Sequence, residues 1–507
     1  MPKRHKFNLS SQINLTTEMG IMTPLGWEEV LPGDVFNHKI SAFLRCSPTE
    51  LPIMHPTHAE IRTFFVPNRL VFDGWEEFIT GGDVTWPHIN FDKVDKGQLP
   101  DYLGLPAGTY TQSGISINAL PFRAYNLIYN EWFRDDQLGA PAVISNDAGT
   151  DSTTETNLRL ASWRKDRFTS ARTSPQVGDA VTIPIDVNIG ADVDYTEPTI
   201  VADGLLGLGS EETTNFIEKP NASSDQAVWV NSGDPGFPQG ARYNSGLANT
   251  GGAVDVSLTG EDGVDITVEA LRRSLALQRF GERLNRHGNR YTEYLRSMGI
   301  RSSDARLDRP EYLGGGRQTI QWDEVLQTTP GSDENVPGVG NYKGHGIGAM
   351  RSSRYVRHFN EHGILMSILV IRPTTMYVNG AKRGFFRDTF DQYFQPELQH
   401  LGMQSVYVGE VDMVNSADHR TVFGYQDAYD EYRHSPSFVA GDMNDTLKAF
   451  HFGREFAAEP SLNQTFVLCA PRTDPFQIQT TDQFFGMIKH DLRARRLLRR
   501  SGTPLTM

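Results

Sequence analysis

Almost all of the net negative charge of this 507-residue chain lies in one segment, residues 186–265. The segment contains fourteen acidic residues and only two basic ones, whereas the whole chain carries a net charge of −14. All other residues together therefore carry only −2. Because the segment is also rich in Gly, Ser, Thr, Asn and Asp, it predicts an excursion from a folded core that faces water and not nucleic acid.

Short apolar groups and Trp229 give this excursion some surface to bury. They favour an inserted subdomain on the outside of the protein, and a disordered linker is the alternative. The chain is accordingly divided into three parts: 1–185, the acidic insertion 186–265, and 266–507.

The two flanking parts predict a protein built mainly of strands. The 47 Gly and 28 Pro residues make turns frequent, which is typical of many short strands. Residues 61–66 predict a strand, and residues 363–372 are apolar enough for a strand that is buried on both faces. Helices are predicted over 118–134, with an aromatic face, and from 268 to about 284. Strands separated by long excursions indicate a β-sandwich with enlarged loops.

Motifs for catalysis or metal binding are weak in this sequence. His358 to His362 match the H-x-x-E-H zinc pattern, which needs both histidines on one face of a helix. The following Gly363 and apolar run predict a turn that leads into a strand instead. The GHGIG stretch at 344–348 lacks the residues of a phosphate-binding loop and predicts a flexible loop within an irregular region, 317–350. We expect no catalytic site, no metal site and no cofactor.

The two cysteines, Cys46 and Cys469, are too few for a disulfide framework or a four-thiolate zinc site. They predict two reduced, buried thiols, and a single bridge between them is the alternative. The longest apolar run, 364–371, is far shorter than the roughly 20 residues that span a bilayer. We therefore expect no membrane insertion.

Basic residues concentrate at both ends of the chain. A solvated tail is the simplest interpretation, and non-specific, salt-sensitive contact with phosphates is the functional one. The candidate nucleic-acid contacts are Lys3, Arg4, Lys6, Arg493, Arg495, Arg496, Arg499 and Arg500, with Lys489 nearby.

Residues 290–316 combine charged amphipathic stretches, an Arg-Pro step and three consecutive glycines, and they fit no common enzyme motif. This block resembles a signature of the major capsid proteins of gokushoviruses, small single-stranded DNA phages of the Microviridae. Similar stretches follow the same order along the chain, mainly outside the acidic segment and the tails. They are 19–24, 29–34, 64–70 with Trp75, Phe78 and Gly81-Gly82, 120–126, 130–133, 423–426 and 431–433.

The resemblance implies an all-β fold: an eight-stranded antiparallel jelly roll, the viral-capsid β-sandwich, with long inter-strand loop insertions and a few helices. Sixty copies would form a T=1 icosahedral shell around a circular single-stranded DNA genome, assembled in the cytoplasm of a bacterial host. The acidic insertion would form protrusions at the three-fold axes that meet a host cell-surface receptor. The further partners implied are the small basic DNA-binding, pilot and scaffolding proteins of the phage.

This resemblance also assigns expected roles to particular residues. The basic termini would line the interior of the shell and contact DNA. Trp75, Phe78, Tyr312 and Arg290 would contact neighbouring subunits, together with the glycine-rich region 314–348. The glycines and the Arg-Pro step of 290–316 predict turns in a long loop.

A second class of function remains open at this point. A carbohydrate-binding or carbohydrate-processing protein on a β-sandwich would also contain many Trp, Tyr and Asp residues. Such a protein would remain a monomer or a small oligomer, so electron microscopy of the purified chain distinguishes the two classes.

Overall fold

The computed structural model describes residues 4–112, 114–176, 227–228, 243–244, 268–288, 290–326, 328, 340, 342–400 and 402–499. The chain divides into two compact units, one formed by Met1–Ala180 with Gln278–Met507 and the other by Val181–Leu277. Most of the acidic insertion predicted at 186–265 lies outside the described residues, so its form stays a prediction.

Strands dominate the described residues. The strands are β1 (His5–Asn8), β2 (Ser11–Thr17), β3 (Thr23–Val30), β4 (Val35–Cys46), β5 (Thr57–Pro67), β6 (His88–Phe91), β7 (Lys93–Val94), β8 (Gly108–Thr109), β9 (Ile115–Asn118), β10 (Ala227–Val228), β11 (Tyr243–Asn244), β12 (Glu311–Leu326), β13 (Tyr342–Arg351), β14 (Tyr355–His358), β15 (Gly363–Pro373), β16 (Met403–Tyr407), β17 (Val422–Asp427) and β18 (Phe484–Arg496). The α-helices are α1 (Trp75–Ile79), α2 (Leu99–Tyr102), α3 (Leu120–Ile128), α4 (Val268–His287), α5 (Tyr291–Ser297), α6 (Val408–Val411) and α7 (Gln464–Val467).

Eight strands follow one another in a single hydrogen-bonded path, in the order β1, β18, β4, β13, β12, β5, β15 and β3. Every pair along this path is antiparallel, and β2 and β14 add to it by pairing with β18 and β4. The path curls at β12, because the first part of this strand pairs with β5 and the last part pairs with β13. This large antiparallel sheet with few helices confirms the predicted all-β jelly-roll fold class.

The curl gives two layers that enclose a core. We call them the β4 layer (β1, β2, β4, β13, β14 and β18) and the β15 layer (β3, β5 and β15). Ile40 and Leu44 from β4 share one buried cluster with Ile61 from β5 and Leu369 from β15. Since side chains alternate along a strand, each layer turns its other set of side chains away from this core.

The β15 layer is covered on its second face as well. Met366 and Ile368 of β15 belong to a separate buried cluster that includes Phe122 and Tyr125 of α3. Every residue of β15 is buried as a result. The predicted two-sided strand at 363–372 and the aromatic helix at 118–134 are therefore confirmed, the helix continuing from α3 into a π-helical turn at Tyr129–Phe133. The predictions of a strand at 61–66 and a helix from 268 are confirmed by β5 and α4.

The glycine-rich segments were wrongly predicted as turns and loops. Gly315 and Gly316 lie within β12, and the GHGIG stretch lies within β13. A β-carbon on Gly315 would come within 2.3 Å of the carbonyl oxygen of Ile61, and one on Gly316 within 2.8 Å of that of Arg351. These glycines thus allow neighbouring backbones to approach closely where β12 passes between the layers, which is a use of glycine other than turn formation.

The histidine and cysteine predictions can be compared directly with the structure. His358 ends β14 and His362 lies in the turn before β15, as the sequence predicted, so the two histidines do not share a helix face. Cys46 and Cys469 are free, buried thiols, as expected. Among the described residues, no group of three potential metal ligands comes together and no helix is long and apolar enough to cross a membrane.

Candidate nucleic-acid interface

The second face of the β4 layer carries the basic residues. Along β18 the side chains alternate between buried and exposed positions, and Lys489, Arg493 and Arg495 all fall on the exposed side. The alternation follows from the two-residue period of a strand, one side of which faces the core. The C-terminal arginines up to 495 are thus part of a sheet and not of a loose tail.

Strand pairing places further basic residues beside those of β18. Lys6 lies opposite Arg495, Lys39 lies opposite Asp491, and Ser41 lies between Lys489 and Arg351. Residues directly opposite each other in an antiparallel pair point to the same face. We call this surface the basic face; its basic residues are Lys6, Lys39, Arg45, Arg351, Lys489, Arg493 and Arg495.

The positive charge of the basic face is largely uncompensated within the described part of the chain. On β1, β2, β4, β18 and the part of β13 that pairs with β4, Asp491 is the single acidic residue of this face; farther along, β12 adds Asp323 opposite His345 of β13. Asp491 lies 3.7 Å from Arg493 and 3.2 Å from Arg354, which is next to the face. Seven cations and one anion at adjacent strand positions create a local positive potential on a chain that is acidic overall.

Exposed apolar side chains accompany these cations. Phe485 and Met487 of β18 are 41% and 48% exposed although they lie in the middle of a sheet. Phe43 of β4 lies in the same row as Met487, and the guanidinium of Arg45 sits 5.5 Å from the centre of the Phe43 ring. Rings for base stacking beside cations for phosphates are the combination that single-stranded nucleic acids require.

A groove of about 1080 Å³ opens at this end of the basic face. The sheet contributes Phe43, Arg45 and Phe485 to its walls, and the segment around α2 contributes Lys96 and Tyr102. The Tyr102 hydroxyl donates a hydrogen bond of 2.6 Å to the carbonyl oxygen of Thr16, which ties this segment to β2. The groove has a cation on each side, Arg45 and Lys96, and two carboxylates, Asp101 and Asp482, also line it.

Two histidines lie beneath the basic face. The rings of His38 and His490 stack, with 3.0 Å between Nε2 of His38 and Nδ1 of His490, and Nδ1 of His38 lies 2.9 Å from the Tyr355 hydroxyl. Burial, followed by the effect of His490, lowers the pKa of His38 to about 3. Burial also lowers the pKa of His490. Both rings are therefore neutral at pH 7, and the charge of the face comes from Lys and Arg alone.

The predicted nucleic-acid contacts do not all reach this surface. Arg496 points the other way, because it follows Arg495 by one residue; it forms an ion pair of 3.0 Å with the buried Asp34. Arg4 contacts His358 at 3.2 Å. Arg499 lies beyond the end of β18, and Lys3 and Arg500 lie outside the described residues.

The prediction from the ends of the chain missed three cations of the basic face. Lys39 and Arg45 on β4 and Arg351 on β13 lie outside the two terminal segments from which the prediction was made. The alternation of apolar and polar residues along 35–46 is the signal that would have placed Lys39 and Arg45 on an exposed strand face.

The residues predicted to contact other subunits make contacts within the chain. Trp75 and Phe78 pack, half-buried, against the cluster under α3. The Tyr312 ring lies 5.8 Å from the rings of both Phe64 and Trp132. Arg290 donates hydrogen bonds to backbone carbonyls in the π-helical turn after α3, including that of Glu131 at 3.1 Å. Each side chain supports the fold, and a role between subunits stays a prediction.

The sequence of this chain is similar to those of phage capsid proteins. Residues 1–506 match the family described as capsid protein (F protein). Capsid protein VP1 of Bdellovibrio phage phiMH2K is 31% identical over an alignment that covers 92% of this chain and 87% of that protein. Capsid protein VP1 of Chlamydia phage 1 is 29% identical, with coverages of 92% and 89%. Capsid protein VP1 of Spiroplasma virus 4 is 26% identical, with coverages of 92% and 87%.

These matches confirm the resemblance that the ordered sequence stretches indicated. The family match at 1–506 includes the strands that form the basic face. The chain therefore belongs to the family of phage capsid F proteins.

Proposed function

We propose that this chain is the major capsid protein of a single-stranded DNA phage and that sixty copies form a T=1 shell around a circular genome. The role is structural and not catalytic. The observation that carries the proposal is the match of residues 1–506 to the capsid family. Self-association in closed symmetry is the means by which one chain encloses a volume.

In the proposed shell, the basic face lines the interior. A packaged genome presents a high density of phosphates, and Lys489, Arg493 and Arg495 offer cations on a sheet, of which only Arg493 lies near a carboxylate, that of Asp491. The exposed ring of Phe485 and the half-buried ring of Phe43 would stack with unpaired bases, which any single-stranded sequence supplies. Binding of this kind depends on salt and not on sequence, as a capsid interior requires.

The acidic insertion 186–265 would lie on the outside. Its net charge of −12 opposes contact with the genome and favours a solvated protrusion, which we place at the three-fold axes. Such a protrusion is the natural contact for a host cell-surface receptor. The basic DNA-binding, pilot and scaffolding proteins of the phage would act as further partners during assembly in the bacterial cytoplasm.

Electron microscopy of particles tests this proposal. The chain is expressed in a bacterial host together with the remaining phage genes, and the particles are imaged and weighed by native mass spectrometry. Shells of uniform size with sixty copies are expected. Deletion of 191–260 should leave shell formation intact and reduce attachment to host cells. A monomeric product that hydrolyses or binds oligosaccharides would contradict the proposal and favour a carbohydrate-directed β-sandwich.

A further inference from the structure

A group of exposed aromatic side chains lies apart from the basic face. We call this group the aromatic platform; its members are Phe385 (80% exposed), Phe390 (79%), Tyr393 (52%), Phe394 (49%), Tyr432 (54%) and Phe438 (58%). Single exposed apolar residues are normal on a protein surface, but groups of exposed large rings are unusual and mark a binding surface.

The contacts place the rings of the platform in two groups. The Phe394 ring lies 6.4 Å from that of Tyr432, and the guanidinium of Arg387 lies 5.2 Å from the Tyr393 ring and 4.6 Å from the Tyr432 ring. At the other end, Phe385 and Phe438 line a common groove. Phe390 lies between these two groups along the chain, in the 3₁₀ turn Phe390–Gln392.

A network of buried ion pairs holds the platform from below. Glu410 is fully buried and pairs with Arg167 and Arg383, each at 2.8 Å. Glu431, also buried, pairs with Arg387 at 2.8 Å. Breaking such a buried pair by removing one partner is strongly unfavourable, so the turns that carry the rings are fixed in position. The rings are exposed on a rigid base, which lowers the entropic cost of binding.

The exposed area of the six rings is comparable to the area that one partner buries in a typical protein–protein interface. A large aromatic side chain buries about 150–250 Å² when it is covered. Weighted by their exposed fractions, the six rings offer roughly 550–930 Å². A stable interface buries about 800 Å² on each partner, whereas the largest apolar patch of a typical monomer is about 300–600 Å². A single neighbour that covers both groups would therefore bury enough area for a subunit contact.

We propose that the aromatic platform is a contact surface for a second copy of this chain. This inference rests on the proposed function, because only a self-assembling chain has further copies of itself to bind. The groove of about 380 Å³ beside Phe385 and Phe438, which is also lined by Tyr377 and Ala381, would receive an apolar side chain from the neighbouring copy. Phe385 and Phe390, the two most exposed rings, would contribute most of the buried area.

The test compares two double variants in cells that express the chain with the remaining phage genes. Phe385→Ser with Phe390→Ser removes the two most exposed rings of the platform. Met54→Ser with Val143→Ser is the matched control, because these residues are 67% and 53% exposed, outside the platform and away from the predicted subunit contacts around Trp75 and Phe78. The platform variant should lower the yield of sedimenting particles at least tenfold, and the control should leave it unchanged. Urea unfolding of released subunits should give the wild-type midpoint for both.

A second measurement does not depend on how the serine variants fold. A photo-crosslinking phenylalanine derivative is placed at Phe385, and assembled particles are irradiated. Covalent dimers of this chain are expected. Wild-type particle yield from the platform variant, or crosslinks only to a different protein, would overturn the inference. Failure of the wild-type chain to form particles would instead contradict the proposed function.

Discussion

The charge of the basic face makes a quantitative prediction about salt. For single strands, the slope of log K against log salt concentration is about −0.7 for each phosphate contact. Seven cations, one of them offset by Asp491, give about six contacts and a slope of about −4. Replacing Lys489, Arg493 and Arg495 by glutamine removes three contacts and should halve the slope, to about −2.

The difference between the two slopes can be measured over an ordinary range of salt concentrations. Between 50 and 200 mM salt, affinity should fall about 300-fold for the wild-type chain and about 20-fold for the triple variant. The measurement is fluorescence anisotropy of a labelled oligothymidine titrated with dissociated subunits at several salt concentrations. The matched control is Arg272→Gln, Arg273→Gln and Arg279→Gln on the exposed side of α4, which changes the net charge equally. An equal loss of slope in both variants would refute the assignment of the basic face.

Three further predictions concern stability, each measured by urea unfolding of the dissociated chain. Arg123→Met should cost about 3–5 kcal/mol, because it leaves the buried Asp151, now 2.8 Å from the guanidinium, without its partner; a cost below about 1 kcal/mol would contradict this. Since the pKa of His38 is lowered to about 3 in the folded chain, the unfolded chain takes up a proton first as pH falls below 6.5. Stability should therefore decrease from pH 6.5 toward pH 3 by about 1.4 kcal/mol per pH unit, and His38→Gln should reduce this dependence. Gly315→Ala should cost about 1–3 kcal/mol through its contact with backbone, whereas Gly384→Ala, with open space around it, should change stability little.

The sequence was sufficient for the elements whose patterns are local. The apolar run at 363–372 indicated a strand buried on both faces, and the three- and four-residue spacing of aromatic residues at 118–134 indicated a helix. Both signals arise from the period of the element itself, and the structure contains both as β15 and α3. The ordered stretches around 290–316 similarly identified the capsid family.

Local patterns were misleading where glycine serves packing. A run of glycines such as Gly315 and Gly316 is typical of a turn. In the structure, the backbone carbonyls of Ile61 and Arg351 come so close to these glycines that no β-carbon would fit. Which backbone comes close to a glycine depends on strands that are distant in the sequence. Arg496 shows the same limit. In the sequence it is equivalent to Arg495, but in the sheet its side chain lies on the opposite face and pairs with the buried Asp34.

The sequence by itself determined that this chain is rich in strands, that its acidity is confined to one segment, and that it resembles phage capsid proteins. Only the tertiary structure decided which cations act together. The basic face joins Lys6 from the first strand, Lys39 from β4 and Arg495 from the last strand. The aromatic platform joins Phe385 to Phe438 in the same way. The physical reason is that periodicity fixes which face of a strand is polar, whereas long-range hydrogen-bonded pairing decides which polar faces become one surface.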